Sequence, residues 1–276
     1  MHRRKFISIN STLLGSSLIL PGTISHYLLN DRSKIKIGAC DWSLNNMANL
    51  GALEVAKQIG LDGVQLSLGS LENNMHLRQV DVQKAYKSLA KIFQVGFTGL
   101  AIGELNNIPY KSDPRTDQWV YDSVQVAKAM GVKVILLAFF SNNDLKNDKI
   151  GTDVVIQKLK EVSPHAEKNN ITLGIESWLS AEEHMYIIDK VQSPHLKVYY
   201  DVANSERMGY PIYEEIRWLG KKEMICEFHF KENGYLLGKG KVDFKEIRKC
   251  LDDIQYEGNI QIEGAIPQGS TMLPSL

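Results

Sequence analysis

The chain has 276 residues, 43% hydrophobic and 23% charged, enough for one α/β barrel of about 250 residues plus a short extension. Lys plus Arg and Asp plus Glu balance at 32 each, so no basic field favours nucleic acid or an anionic membrane. Cys40, Cys226 and Cys250 are odd in number and show no C-x-x-C spacing, which excludes a disulfide framework and leaves buried free thiols.

Residues 1–30 read as an export segment, separate from a domain spanning 34–276. A basic start, MHRRKFIS, precedes the mildly apolar INSTLLGSSLILPG and the polar NDRSK, the order of a secretory signal. Arg3-Arg4-Lys5-Phe6-Ile7-Ser8 is similar to the twin-arginine signal R-R-x-F-[LI]-x, which routes proteins folded before export to the periplasm. The apolar stretch is too short and too rich in Ser and Gly for a stable membrane span.

From Lys34 short β-rich runs alternate with amphipathic segments, the pattern of a parallel α/β fold. IKIGAC (35–40) is the first strand, and a helix follows from Asn49, its expected N-cap, to Gly60. GVQLSL (63–68) is the second strand; the helix after it, Asp81 to Gln94, carries Ala85, Leu89 and Ile92 on one face. FTGLAIG (97–103) leads into a long loop, ELNNIPYKSDPR, and a helix from Thr116 to Met130 closed by Gly131. VKVILLAFF (132–140) is continuously apolar, as a strand buried on both faces should be. A helix spans about 152–169, and Ser180 opens the next with Glu183 as capping-box partner. Pro211 and Asp243 are expected to open two more. Eight strands and seven helices make a (β/α)8 TIM barrel. Only 13 residues follow Glu263, so the closing eighth helix is missing or very short, and a homo-oligomer is one way to cover the bare side.

Four strands end in residues that bind hard divalent metals: ITLGIE at Glu176, LKVYYD at Asp201, MICEFH at His229 and NIQIE at Glu263. The intervals of 25, 28 and 34 residues are each close to one βα unit of about 30 residues. Carboxyl ends of successive barrel strands share one mouth, where active sites of this fold lie. The four residues should therefore converge there on one metal ion. One His nitrogen and three carboxylates suit Mn²⁺, Mg²⁺ or Co²⁺, with Zn²⁺ a lesser fit. Such an ion polarises a sugar carbonyl and stabilises an enediolate. Glu176 and Glu263, from strands three apart, can flank the substrate as acid and base. Trp42, Gln65, Glu104 and Asn106 lie at or past strand ends and are candidates for the pocket. His76, His165, His184 and His195 fall in helices or surface loops and are expected to be solvated.

GVQLSL, IESWLS, YYDVANS, EFHFKE, GKGKVDF and QIEGA resemble the xylose isomerase-like TIM-barrel superfamily of sugar isomerases and epimerases, over roughly residues 35 to 265. The resemblance implies that Glu176 and Glu263 both bind metal and exchange the proton, as in ketose 3-epimerases. It also implies substrate contacts at Asn204, where those epimerases carry a His three residues after the aspartate, and at Lys231, in place of an arginine expected near the seventh strand. His229, Lys231 and Glu232 match the H-x-K-[DE] pattern, and Gly238 and Gly240 the glycine loop after it. The expected function is metal-dependent isomerisation or epimerisation of a sugar. Two alternatives are a lyase or hydratase on a keto sugar or keto-glycoside, and a non-catalytic sugar-binding barrel.

Overall fold

In the computed structural model, which describes residues 34–264, eight parallel strands close into a barrel in chain order. They are β1 (Ile35–Cys40), β2 (Gly63–Ser67), β3 (Gly96–Ile102), β4 (Val134–Phe139), β5 (Thr172–Ser177), β6 (Leu196–Asp201), β7 (Ile225–Phe230) and β8 (Gly258–Ile262). The helices are α1 (Ala52–Ile59), α2 (Val80–Phe93), α3 (Arg115–Met130), α4 (Lys149–Lys168), α5 (Ala181–Val191), α6 (Val202–Arg207), α7 (Ile212–Lys221) and α8 (Phe244–Asp253). The expected export segment and the residues after Gly264, where the closing helix is expected to be missing or very short, lie outside the described residues.

The main hydrophobic core lies between barrel and helices, with Leu66, Leu100, Ile135, Ile175 and Val198 packed against Leu53, Val124, Leu159 and Ile216. Inside the barrel a small second cluster, Ala101, Val134, Leu136, Ala138 and Tyr199, shares the space with buried Gln65, Thr98, Glu227, His229 and Gln261. Barrel interiors are ordinarily filled by branched aliphatic side chains, so this polar filling is a departure that the site must explain.

Most expected helix ends hold. Ser180 and Glu183 form a complete capping box, and Asp243 caps α8 by accepting from Lys245 N and Glu246 N. Gly60 and Gly131 close α1 and α3 at φ of 81° and 75°, a conformation glycine adopts without Cβ strain. Three expectations fail. Asn49 does not cap α1: its Oδ1 accepts from Gly51 N at 2.8 Å two residues on, an Asx turn that delays the helix to Ala52. Ile92 is 71% exposed, because the buried face of α2 is set by Gln83 and Tyr86. The chain after Asp201 does not run as a loop to Pro211; α6 starts at once, capped by Asp201 itself, whose Oδ1 accepts from Ala203 N and Asn204 N. Pro211 then sits at the N-cap of α7.

Candidate metal centre and cavity

Period-2 alternation places every second side chain of a strand inside the barrel. On β7 this stacks Glu227, His229 and, just past the strand, Lys231 along the inner wall. Parallel register sets Asp201 level with His229, and Glu176, the penultimate residue of β5, is level with Ala138. Glu263 follows β8, its N–H donating to Phe230 O. The result is that ligand atoms of Glu176, Asp201, His229 and Glu263 all lie within 4.8 Å of one another. His229 turns Nδ1 to the three carboxylates, 2.9 Å from Glu176 Oε1, 3.4 Å from Glu263 Oε2 and 3.9 Å from Asp201 Oδ2.

The donor set fits a hard divalent cation. Asp201 Oδ2 is buried and accepts no aligned hydrogen bond; Lys231 Nζ, 2.8 Å away, meets it as a charge. The same ammonium donates to Glu263 Oε2 at 2.5 Å. A cationic group thus already bridges two of the carboxylates, and an oxygen is left over for a further cation. Burial raises the pKa of Asp201, and the charges of Glu263 and Glu176 raise it further against the pull of Lys231 and His229. Glu263 goes the other way: burial works to raise it, but His229 and Lys231 outweigh that and hold it low. Burial alone would depress the imidazole of His229, yet Cys40, Glu176 and Glu263 raise it well above its ordinary value. Burial likewise opposes the charge on Lys231, and Asp201 and Glu263 overcome it. Three carboxylates confined this closely need positive charge among them.

Above the quartet opens a cavity of about 450 Å³. Of the four candidate ligands only Glu176 and Glu263 line it; Asp201 and His229 sit beneath. Trp42, Glu104, Asn106, Asn204 and Lys231 are at its wall. Trp42 donates from Nε1 to Glu263 Oε1 at 3.0 Å, so it also orients that carboxylate. Gln65 is the exception. It is fully buried below the cavity, on the far side of the His229 ring, with Oε1 2.9 Å from Nε2; it cannot reach a substrate.

Other participants escaped the sequence. Arg207 lines the cavity from the end of α6, where no motif announced it; among the described residues lining it, none from β7 is an arginine. Phe140 and Trp178, 5.4 Å apart edge to face, form an aromatic wall. Asp41 is fully buried and accepts from Ser67 Oγ at 2.6 Å, Ser67 N at 2.8 Å and Ala48 N at 3.1 Å, so it fastens the loop that carries Trp42. Burial pushes its carboxyl up to about 6, against those donors. His184 is not solvated. It is 5% exposed, held between Ser177 Oγ and Ser180 O at 2.9 Å each, and burial lowers it to about 4. His76, His165 and His195 are half-buried.

The glycine loop after β7 is shaped by Glu232, 3% exposed, which accepts from Gly240 N at 3.2 Å and Lys241 N at 3.1 Å. A Cβ at Gly240 would meet Glu232 Oε2 at 2.2 Å. Gly240→Ala should therefore break this clamp, leaving a buried carboxylate short of donors at a cost of about 1–3 kcal/mol. Hydrogen exchange should rise across 232–243 and stay unchanged in the barrel strands; unchanged protection in the loop would refute the clamp.

Comparison with known proteins agrees with this geometry. The family described as "Xylose isomerase-like TIM barrel" matches residues 53–272. A D-psicose 3-epimerase from Enterocloster bolteae is 28% identical over 143 residues, 49% of this chain and 46% of that protein. A 2-epi-5-epi-valiolone 7-phosphate 2-epimerase from Actinoplanes sp. is 23% identical over 175 residues, 63% of this chain and 64% of that one. The matched stretches thus span about half to two thirds of these curated relatives. Among solved structures, a D-psicose 3-epimerase crystallised with D-fructose superposes with a TM-score of 0.71 at 17% identity, over 86% of this chain and 87% of that one. A 3-keto-D-glucoside 4-epimerase from E. coli gives 0.69 at 14% identity, over 86% and 94%. With a closed eight-stranded barrel, a carboxylate and histidine cluster at its mouth and a family match over most of its length, the chain belongs to the xylose isomerase-like TIM-barrel family.

Proposed function

We propose that this chain is a divalent-metal-dependent sugar epimerase or isomerase, with Glu176, Asp201, His229 and Glu263 as the metal ligands. The observation that carries this reading is the split within the quartet. Two glutamates face the cavity while Asp201 and His229 lie below it, as expected if all four hold the ion and only the glutamates also reach substrate. Mn²⁺, Mg²⁺ or Co²⁺ in that place would polarise the substrate carbonyl as a Lewis acid.

The chain's own residues divide the remaining work. One glutamate takes the proton from the carbon beside the carbonyl, leaving an enediolate, and the other returns a proton from the opposite face. His229 and Lys231 hold Glu263 in its ionised form, and Trp42 fixes its orientation. Asn204, Arg207, Glu104 and Asn106 offer hydrogen-bonding groups to hydroxyls along the cavity. The named relatives act on sugars or sugar-like rings, which supports that substrate class here.

Wild-type protein with bound metal, incubated with free ketoses and keto-glycosides in D₂O, should incorporate one carbon-bound deuterium without other change of mass. Loss of water or an aglycone would instead establish the lyase reading, which the breadth of the cavity and its Trp42, Phe140 and Trp178 walls accommodate. Metal binding without exchange on any sugar would leave only a binding protein.

Export by the twin-arginine route to the periplasm belongs to the same reading, motivated by Arg3-Arg4-Lys5-Phe6-Ile7-Ser8. Changing Arg3 and Arg4 to lysine should leave the protein in the cytoplasmic fraction; unchanged fractionation would refute the signal.

A further inference from the structure

Behind His229 the barrel interior holds a line of buried polar side chains. Nε2 of His229, the nitrogen turned away from the carboxylates, lies 2.9 Å from Gln65 Oε1 and 3.3 Å from Cys40 Sγ. Gln65 Nε2 donates to Tyr199 Oη at 2.9 Å, and the buried Glu227 carboxyl lies deeper in the same interior. Glu227 Oε1 accepts from Asn259 Nδ2 at 2.8 Å and its Oε2 from Gln261 Nε2 at 3.3 Å. Every one of Cys40, Gln65, Tyr199, Glu227, His229 and Gln261 is at most 1% exposed.

The sense of these bonds is read from the Cys40 end. Gln261 Oε1 accepts from Thr98 Oγ1 at 2.8 Å, and its amide nitrogen faces Glu227. Tyr199 Oη accepts the Gln65 amide hydrogen, which turns Gln65 Oε1 towards Cys40 and His229. The Cys40 thiol, 3.1 Å from Oε1, enforces the same sense, because a buried thiol is a donor. Inverting the Gln65 amide would set NH₂ against the Cys40 thiol in a dry interior, where an unmet group costs about 1–3 kcal/mol. Gln65 therefore demands a proton on His229 Nε2, so that Nδ1, turned to the carboxylates, is the nitrogen that would give up its proton to a metal ion. A metal-binding imidazole needs that tautomer.

We propose that Gln65 and Tyr199 are positioning residues that hold His229 with Nδ1 presented to the metal; this rests on the metal-binding reading above. It also accounts for the polar filling of the barrel, since a branched aliphatic layer could not orient the ring.

Tyr199→Phe is the sharpest test, because it removes Oη and keeps the ring packed edge-on against His229, 4.7 Å between centroids. Protein stripped of metal and titrated with Mn²⁺ against a competing chelator should show affinity about 10- to 100-fold below wild type. Wild-type affinity in the folded variant would overturn the proposal, since a merely structural hydroxyl would alter the melting temperature alone. The second measurement needs no variant. In Mg²⁺-loaded wild type, ¹⁵N NMR of the His229 ring should show the proton on Nε2 and protected from solvent exchange; a proton on Nδ1 would overturn the proposal whatever the variant does. If wild type itself takes up no metal, it is the proposed function that falls, whereas equal uptake by wild type and variant removes the positioning role alone.

Discussion

Asp201→Ala and His229→Ala should each lower Mn²⁺ affinity by at least about 10-fold, the smallest loss seen when even a supporting partner of a metal ligand is removed. Both side chains are buried, Asp201 at 3% and His229 at 0% exposure, so water cannot readily replace the lost ligand. The two variants should differ in stability. Asp201 Oδ1 also caps α6, at 2.9 Å from Ala203 N and 2.8 Å from Asn204 N, and losing such a cap costs about 1 kcal/mol. Asp201→Ala therefore weakens fold and site together, and moves Asn204 and Arg207 at the cavity wall. Asp201→Asn separates the two effects, because an asparagine oxygen can still cap α6 while the charge at Oδ2 is gone. It should melt near wild type and still bind metal weakly. His229→Ala leaves α6 intact but exposes Gln65 Oε1 and the Cys40 thiol to an unfilled space. Elemental analysis and chelator competition measure the first effect, thermal melts the second. Stoichiometric metal at wild-type affinity in either alanine variant would dismiss the quartet as a metal site.

The sequence carried the barrel and the quartet because both depend on strong, local, repeated signals. Each strand is an apolar run of the right length, and the four candidate residues recur at the same phase in successive units. What it did not carry depends on contacts between distant residues. Gln65 occurs in the same GVQLSL run whichever way it points, and only the closed barrel shows that it faces His229, 164 positions away. Glu227 lies inside an apolar strand, where a carboxylate looks like an edge residue until Asn259 and Gln261 are seen beside it. VANSER is too short for helical periodicity to register, so α6 was invisible, and with it the route by which Arg207 reaches the cavity. His184 sits on an otherwise amphipathic helix, and its burial follows from Ser177 reaching across to it. Ile92 matched a helical stripe, yet the barrel surface meets α2 one step around the helix.

Glu176→Gln and Glu263→Gln should lower turnover by about 10²–10⁴-fold, the range for removing a general acid or base, while keeping part of the metal affinity. Glutamine matches the size of glutamate and retains one ligand oxygen, but it cannot accept the substrate proton at neutral pH. The surroundings make the two substitutions unequal. Glu263 receives Trp42 Nε1 on Oε1 and Lys231 Nζ on Oε2, so one of those donors would face the NH₂ of glutamine. Lys231 would then rest on Asp201 alone. Glu176 pairs with His229 Nδ1 at 2.9 Å and can meet that contact through its remaining oxygen. Glu263→Gln should accordingly lose more metal affinity than Glu176→Gln. With two bases on opposite faces, each variant would still exchange the proton on its intact side, so deuterium would enter one epimer while net conversion fails. A single-base mechanism would instead abolish exchange in one variant and leave the other close to wild type. Measuring deuterium incorporation and product on the same sample for both variants decides between them, and near-wild-type turnover in both would end the acid–base assignment of Glu176 and Glu263.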